Sequence, residues 1–523
     1  MRSLTMRLLL VLFFVALGSL VLVEGQESAR QSEGSAGGAT KEEVDELRKE
    51  VAAQRQTIQE LKAMVERMAE ARAQTSNAGL GGTSGAHLVN ATLTQPTGGP
   101  VEGNQADKTE KKDSGAPVVA GWNGEHFFVK SADGKFQLQP YGYVQTDYRA
   151  YKGDGAPSDT FVVRRARFGF QGSYGAKYDF AFLIDAAASN GISLRDLYLN
   201  IKPAREFQVQ VGQFKEPFAQ EEMNGVTNID FVERSLASLL YPSASTAYRS
   251  PGATIHGDIS GGAVQYWVSA FNGKGILTNN TTNEPEFIGR LRFYPWKNKK
   301  DNPMQGFAIG GSIAHGRSRG LSNEQSFSPG LPDAAYTFFP QFRINGPIER
   351  YNGEFTWTHG PWAVRGEYDQ LNQFRRGVGS EQAGGLGFFD LPGIIAKAGA
   401  LQATYLLTGE ARPENGTPKV KHPFLGPEGP GGSKGLGAWE LAFRYSRIQA
   451  KEPESNFLDQ FTPGFVPGFS QHTDEFTAGL NWYLNYWIRY QVNFNVDRLS
   501  SPSTTGAIPQ NYFVLLNRLQ FRF

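Results

Sequence analysis

Phe513-Val-Leu-Leu-Asn-Arg-Leu-Gln-Phe-Arg-Phe523 is the stretch that decides how the rest of this chain is read. Phe513, Leu515, Leu519, Phe521 and Phe523 share one parity, and Arg518, Gln520 and Arg522 share the other. Successive side chains of a strand point to opposite faces, so one face is greasy and the other carries guanidinium groups. In a soluble sheet the greasy face would be a core. Here the pattern recurs from Phe136 onward with Arg, Gln, Asn and Asp opposite the apolar positions. That repetition predicts a closed barrel with lipid outside and water inside.

Working outward, the alternation predicts strands over Phe136–Tyr151, Phe161–Gly172, Tyr178–Ala187, Ile192–Lys202 and Phe207–Phe214. It continues over Gly252–Ser260, Ala263–Phe271, Glu286–Pro295, Gly306–Gly316, Glu349–Thr358 and Pro361–Leu371. Ile395–Thr408, Gly437–Ile448, Thr473–Leu484, Tyr486–Arg498 and Asn511–Phe523 complete an even set of about sixteen, as single-chain bacterial barrels require. Short connections at Ser173–Lys177, Pro203–Glu206, Gly261–Gly262, His359–Gly360 and Asn485 alternate with long ones, as periplasmic turns and outer loops should. Gly409–Leu436 departs from this rule, being long on the periplasmic side. It is either a periplasmic elaboration or the mark of a strand miscounted. Tyr336–Asn345 has strand character but is placed in a loop. The fold class expected is all-β, a 16-stranded antiparallel transmembrane β-barrel with an N-terminal periplasmic coiled-coil helix.

Composition narrows the function. Lysine and arginine nearly cancel the acids at +1, which speaks against a nucleic-acid partner held by net charge. Cysteine is absent, which suits a chain crossing an oxidising periplasm. The 61 glycines, 37 phenylalanines and 20 tyrosines suit tight turns and aromatic girdles. No run after the N-terminus approaches the roughly 20 apolar residues a membrane helix needs.

The N-terminal part divides by composition. Residues 1–25 read as a signal peptide, with Arg2 and Arg7 before the apolar Leu8–Val23 and small residues Val23 and Gly25 ahead of Gln26. Residues 26–40 are a polar segment. Residues 41–72 show a heptad, with Val44, Val51, Ile58 and Val65 at a and Leu47, Gln54, Leu61 and Met68 at d. At 1.5 Å per residue the coil is about 40 Å long. Glu43 and Glu50 at g face Arg48 and Arg55 at e of a parallel neighbour. Residues 73–120 lack periodicity and read as a flexible linker, leaving 121–523 for the barrel.

Between clear strands, Lys215–Pro251 is the longest connection. Within it, Asn228-Ile-Asp-Phe-Val-Glu-Arg-Ser-Leu-Ala-Ser-Leu-Leu240 suggests a short helix capped by Asn228. Phe231, Leu236, Leu239 and Leu240 supply apolar anchors. A third outer loop of this kind is expected to fold onto the barrel wall, narrow the lumen and present Lys215, Arg234 and Arg249; a packed surface lid is the alternative.

These residues resemble a known family. Trp122 with Asp133-Gly-Lys-Phe136, then Phe161-Val-Val-Arg-Arg-Ala-Arg-Phe168, is similar to the opening of the phosphate-selective porin O and P family. Asp196-Leu-Tyr-Leu199, Val211-Gly-Gln-Phe-Lys-Glu-Pro-Phe218, Gly289-Arg-Leu291, Thr408-Gly-Glu410 and Gly437-Ala-Trp-Glu-Leu-Ala-Phe-Arg-Tyr445 follow in order. The resemblance covers Trp122 to Phe523. It implies a homotrimer of barrels in outer-membrane lipid, each with a constricted Arg- and Lys-lined channel for phosphate or polyphosphate. Arg164 and Arg165 look like the family's paired arginines of the central binding region. The position two beyond Arg165, often aromatic in phosphate-binding members, is Arg167 here.

Arginine suits oxyanions because its planar fork donates two parallel hydrogen bonds and keeps its charge. Strand parity points Arg149, Arg165, Arg167, Arg290, Arg292, Arg365, Arg444, Arg489, Arg518 and Arg522 into the lumen, while Arg164 has lipid parity near the outer end of its strand. The expected pore-lining set is Arg149, Arg164, Arg165, Arg167, Lys215, Arg234, Arg249, Arg290, Arg292 and Arg489, attracting small anions such as phosphate. Asp147, Asp185, Asp196, Glu354, Glu367, Asp369 and Glu440 share that lumen, so a general diffusion porin stays open as a second reading. A third, an envelope tether, rests on the coil, which could contact peptidoglycan. No Ser–His pairing, metal-ligand cluster or phosphate-cradling glycine loop stands out, and neither an enzyme nor a cofactor is expected.

Overall fold

The computed structural model describes residues 118–523 apart from 124–125, 154–155, 189–190, 319–323, 326–341, 378–389, 426–434, 452–469 and 500–510. The signal peptide, polar segment, coiled coil and nearly all of the linker expected over 1–120 lie outside the described residues.

Sixteen strands form the wall. β1 (Phe136–Lys152), β2 (Thr160–Tyr174), β3 (Tyr178–Asp185), β4 (Ser193–Ile201) and β5 (Gln208–Lys215) lead into the longest described outer connection. β6 (Arg249–Ile259), β7 (Val264–Phe271), β8 (Glu286–Phe293), β9 (Ala308–Ser318) and β10 (Gly346–His359) follow. β11 (Trp362–Arg375), β12 (Leu391–Leu406), β13 (Ala438–Lys451), β14 (Ser470–Tyr483), β15 (Ile488–Leu499) and β16 (Asn511–Arg522) complete it. Every expected strand is present, its ends displaced by a few residues at most.

Each strand pairs antiparallel with the next, and β16 returns to β1, with Leu515 opposite Ala150 and Phe521 opposite Val144. Past the last ladder residue, Phe523 and Gly142 exchange backbone hydrogen bonds of 3.0 and 3.1 Å. Closure leaves this ring no unpaired edge, which is what a sheet in hydrocarbon needs. A short hairpin, Val119–Trp122 with Phe127–Lys130, adds to the start of β1. Among the described residues, Phe342–Arg343, inside the stretch placed in a loop, pairs with Glu324–Gln325 alone and takes no part in the wall. The turn between β10 and β11 is two residues, with Gly360 at φ +53°, a left-handed conformation glycine adopts without strain.

Burial is inverted relative to a soluble protein. Phe161 is 83% exposed and Ile313 62%, whereas Arg149 and Arg518 are fully buried. Apolar side chains on the outside make a continuous surface that only lipid or protein can cover. Tyr512, Val514 and Leu516 carry the opposite parity to the greasy face of β16. They join Leu236, Leu240, Ile348, Leu371, Ile394 and Ile448 in an internal apolar cluster.

Candidate functional site

Two β-bulges determine which arginines turn inward. In the β1–β2 ladder Gln145 pairs with Arg165 and Thr146 with Val163, leaving Arg164 as the extra residue. A bulge sets two consecutive residues against one, so Arg164 joins Arg165 on the inner side despite its nominal lipid parity. In the β3–β4 ladder Leu183 pairs with Asp196 and Ile184 with Leu194, so Arg195 is the extra residue. It lies 3.3 Å from Asp185 Oδ2.

Glu233, from the β5–β6 connection, sits among arginines of β1, β2 and β16. Its Oε1 accepts from Arg149 Nη2 at 2.8 Å, Arg164 Nε at 3.0 Å and Arg518 Nη2 at 3.1 Å. Arg165 Nη2 approaches Oε2 at 3.8 Å and donates through Nη1 to Gln145 Oε1 at 2.8 Å. Asp147 is the second carboxylate here, 2.6 Å from Arg149 Nη2 and 2.7 Å from Arg518 Nε. Burial alone would raise the Glu233 carboxyl, but Arg164, Arg518, Arg165 and Arg149 hold it well below the ordinary glutamate range. Four guanidinium groups therefore share two carboxylates.

The remaining expected residues fall elsewhere. Arg167 donates to Asp185 Oδ2 at 2.8 Å and to the Tyr143 hydroxyl at 2.7 Å. Arg249 makes a bidentate pair with Asp196, at 2.9 and 3.0 Å. Arg290 and Arg292 converge on Glu354 Oε1, each at 2.6 Å. Arg489 donates to the Ile229 carbonyl at 3.0 Å and Gln520 Oε1 at 3.3 Å. Lys215 caps the carbonyls of Glu222 and Asn224, both at 2.7 Å. Arg234 donates to the Glu221 and Asn224 carbonyls and lies 4.9 Å from the Tyr248 ring centroid. Lys215 and Arg234 thus brace the connection itself. The set forms several carboxylate-centred groups around the lumen rather than one continuous ring. Buried donors on Arg149 (Nη1), Arg290 (Nε and Nη1) and Arg489 (Nε) have no protein acceptor among the described residues.

The helix expected from Asn228 is not formed. Helical turns occupy Gln220–Met223 and Leu236–Leu240, and the residues between them run as irregular chain. The reason lies in where the backbone bonds go. Arg489 donates to the Ile229 carbonyl and Asn481 to that of Asp230. The Val232 amide donates to Asn493 Oδ1 at 2.6 Å, and its carbonyl accepts from Arg518. Arg444 donates to the Glu233 carbonyl at 3.0 Å. Side chains of the strands replace the helical ladder. Phe231, Leu236 and Leu240 are buried as expected of anchors, with the Arg444 guanidinium 4.5 Å from the Phe231 ring centroid.

The anomalous long connection follows β12 with the strand count intact, so it is a true elaboration of residues 407–437. Arg412 reaches Asp230 on the β5–β6 connection and lies 2.9 Å from Glu440 Oε1. Glu414 Oε1 accepts from Arg292 at 2.5 Å and from the Tyr294 hydroxyl at 3.0 Å. Gln220 Nε2 donates to Asn415 Oδ1 at 2.9 Å. Arg365 binds Asp230 and also donates to the Glu414 carbonyl at 3.1 Å.

Glu233, Asp230, Arg195, Arg412 and Glu414 were outside the expected set. Charge at Glu233-Arg234 was visible in the sequence, but nothing local says which of two adjacent side chains meets the wall.

The family pattern of phosphate-selective porin O and P matches residues 138–523. The chain belongs to this family. No curated protein matches it. Among solved structures, the porin resembles OmpT of Vibrio cholerae, folded in vitro, at 10% identity and a TM-score of 0.47, covering 74% of this chain and 98% of that one. The outer membrane channel DcaP of Acinetobacter baumannii matches at 13% identity and 0.44, covering 75% and 99%. OmpF of Salmonella typhi, in complex with daunomycin, matches at 10% and 0.45, covering 77% and 100%. The protein is an outer-membrane β-barrel porin.

Proposed function

We propose that this porin is a passive, anion-preferring channel whose lumen is narrowed by the Lys215–Pro251 segment. The observation that carries the reading is the shared environment of Glu233 and Asp147, where Arg149, Arg164, Arg165 and Arg518 outnumber the carboxylates. A local excess of fixed positive charge in a pore draws anions and repels cations. Arg164, part-exposed beside Glu233, offers a guanidinium fork that suits an oxyanion shedding part of its hydration and then leaving. The narrowing is supported by hydrogen bonds that side chains of β13, β14, β15 and β16 donate to the carbonyls of residues 229–233, and by one from the Leu236 amide to Ser446 Oγ.

Phosphate or polyphosphate is the solute class the family suggests, and a homotrimer its assembly; a coil over 41–72 would lie in the periplasm, within reach of peptidoglycan. Arg167, bonded to Asp185 and Tyr143, is the departure that bears on the solute. A general diffusion porin is the competing reading, favoured by Glu221 and Glu367, two inner carboxylates that both accept from the Ser235 hydroxyl. Chloride current through single channels, titrated with phosphate, tests the proposal. Phosphate is expected to block the current, and Arg165→Ala with Arg167→Ala to weaken both the block and the anion preference. A current indifferent to phosphate rejects the solute, and unchanged selectivity in the double variant rejects those two residues.

A further inference from the structure

The β12–β13 connection and the Lys215–Pro251 segment approach each other from opposite ends of the wall and meet at one buried carboxylate. Asp230 takes Arg412 on Oδ1 and Arg365 on Oδ2. Arg412 is fixed by Glu440 and by its donation to the Gly416 carbonyl at 2.8 Å. Gln220 to Asn415 makes a second bridge between the two segments.

The exposure of the charges around this meeting point is the second observation. An aqueous passage wets the charges that line it. Yet Asp230 is 4% exposed, Arg412 3% and Glu440 0% on one side. Arg149 and Arg518 are dry beneath β1 and β16, as are Arg290 and Arg292 beneath β8. Arg149 is bonded to Glu233 of the Lys215–Pro251 segment, Arg518 to Val232 and Glu233, Arg290 to Gln220 of that segment, and Arg292 to Glu414 of the β12–β13 connection. An anion reaches these dry groups only where the segments part, and the contact that then breaks is charged and desolvated.

We propose that Arg412 is a positioning residue that latches the two segments through Asp230 in a closed state. Conduction then proceeds through a minor state in which that contact is open. This rests on the reading of Lys215–Pro251 as the constriction, and deepens it with a second element and a closed resting position.

The cysteine-free chain makes the test direct. The full-length protein is reconstituted in planar bilayers as wild type, Arg412→Ala, Arg412→Lys, and Gln220→Cys with Asn415→Cys. Loss of the guanidinium is expected to raise the open fraction about tenfold, the change that 1.4 kcal/mol in the closed–open equilibrium produces. Arg412→Lys should stay near wild type. A short bis-methanethiosulfonate, each end forming a disulfide with one cysteine thiolate and expelling methanesulfinate, should bridge the pair and abolish opening, and reductant should restore it. An Arg412→Ala open fraction equal to wild type, or a cross-linked channel that conducts as before, overturns the latch. The zero-current potential is read in the same recordings. Cation preference there would sink the anion reading while leaving the gating result to stand or fall by itself.

Discussion

At the scale of the residue, the lumen is governed by how carboxylates are shared. Glu233 is ionised because four arginines surround it, and removing one partner of a buried pair typically costs about 3–5 kcal/mol. Glu216, next to the end of β5, is the opposite case. Burial, and then the charge of Glu286, push its carboxyl up to about 8 from an ordinary 4.5, with Arg350 opposing. Between those values the folded protein holds a proton that the unfolded chain releases. Stability therefore falls as pH rises from about 4.5 to about 8, and the loss is complete above that window. Thermal unfolding in detergent at pH 5 and pH 9 should show a smaller difference for Glu216→Gln than for wild type. An equal difference would remove Glu216 from the account. Arg165, Arg167, Arg290, Arg292 and Arg489 were readable as inward-facing from parity alone. Arg164 and Arg195 were not, because a bulge is set by the pairing of two strands and leaves no mark on one.

At the scale of the element, alternation made every strand of the wall legible, because lipid and water impose opposite demands on its two faces. β13 illustrates the point: Phe443 and Tyr445 face outward while Arg444 is buried. Phe443→Arg puts a charge on the lipid face near the middle of that strand and should cost about 2–4 kcal/mol. Equilibrium unfolding in urea from lipid vesicles measures it, and a cost below about 1 kcal/mol would mean that the position is covered by protein or lies at the interface. The connections were harder. Asn228 carries a capping side chain, and the residues after it have helical spacing of apolar groups. Local preference nevertheless lost to the hydrogen-bond donors and acceptors of β14, β15 and β16. Only residues distant in sequence decide that outcome. The same holds for 407–437, whose length was visible and whose partners Asp230 and Arg292 were not.

At the scale of the whole molecule, ring closure between β16 and β1 joins the ends of the barrel sequence into one wall. It also brings Arg518, distant in the chain, beside Arg149 and Arg165 around a single glutamate. The charge balance of the full chain is nearly neutral, so any ion preference must come from this placement and not from net charge. The measurement that tests this most directly is the zero-current potential of the wild-type channel across a potassium chloride gradient. A potential with the sign of chloride permeation is predicted, shrinking as ionic strength screens the arginines. A potential with the sign of potassium permeation would contradict it.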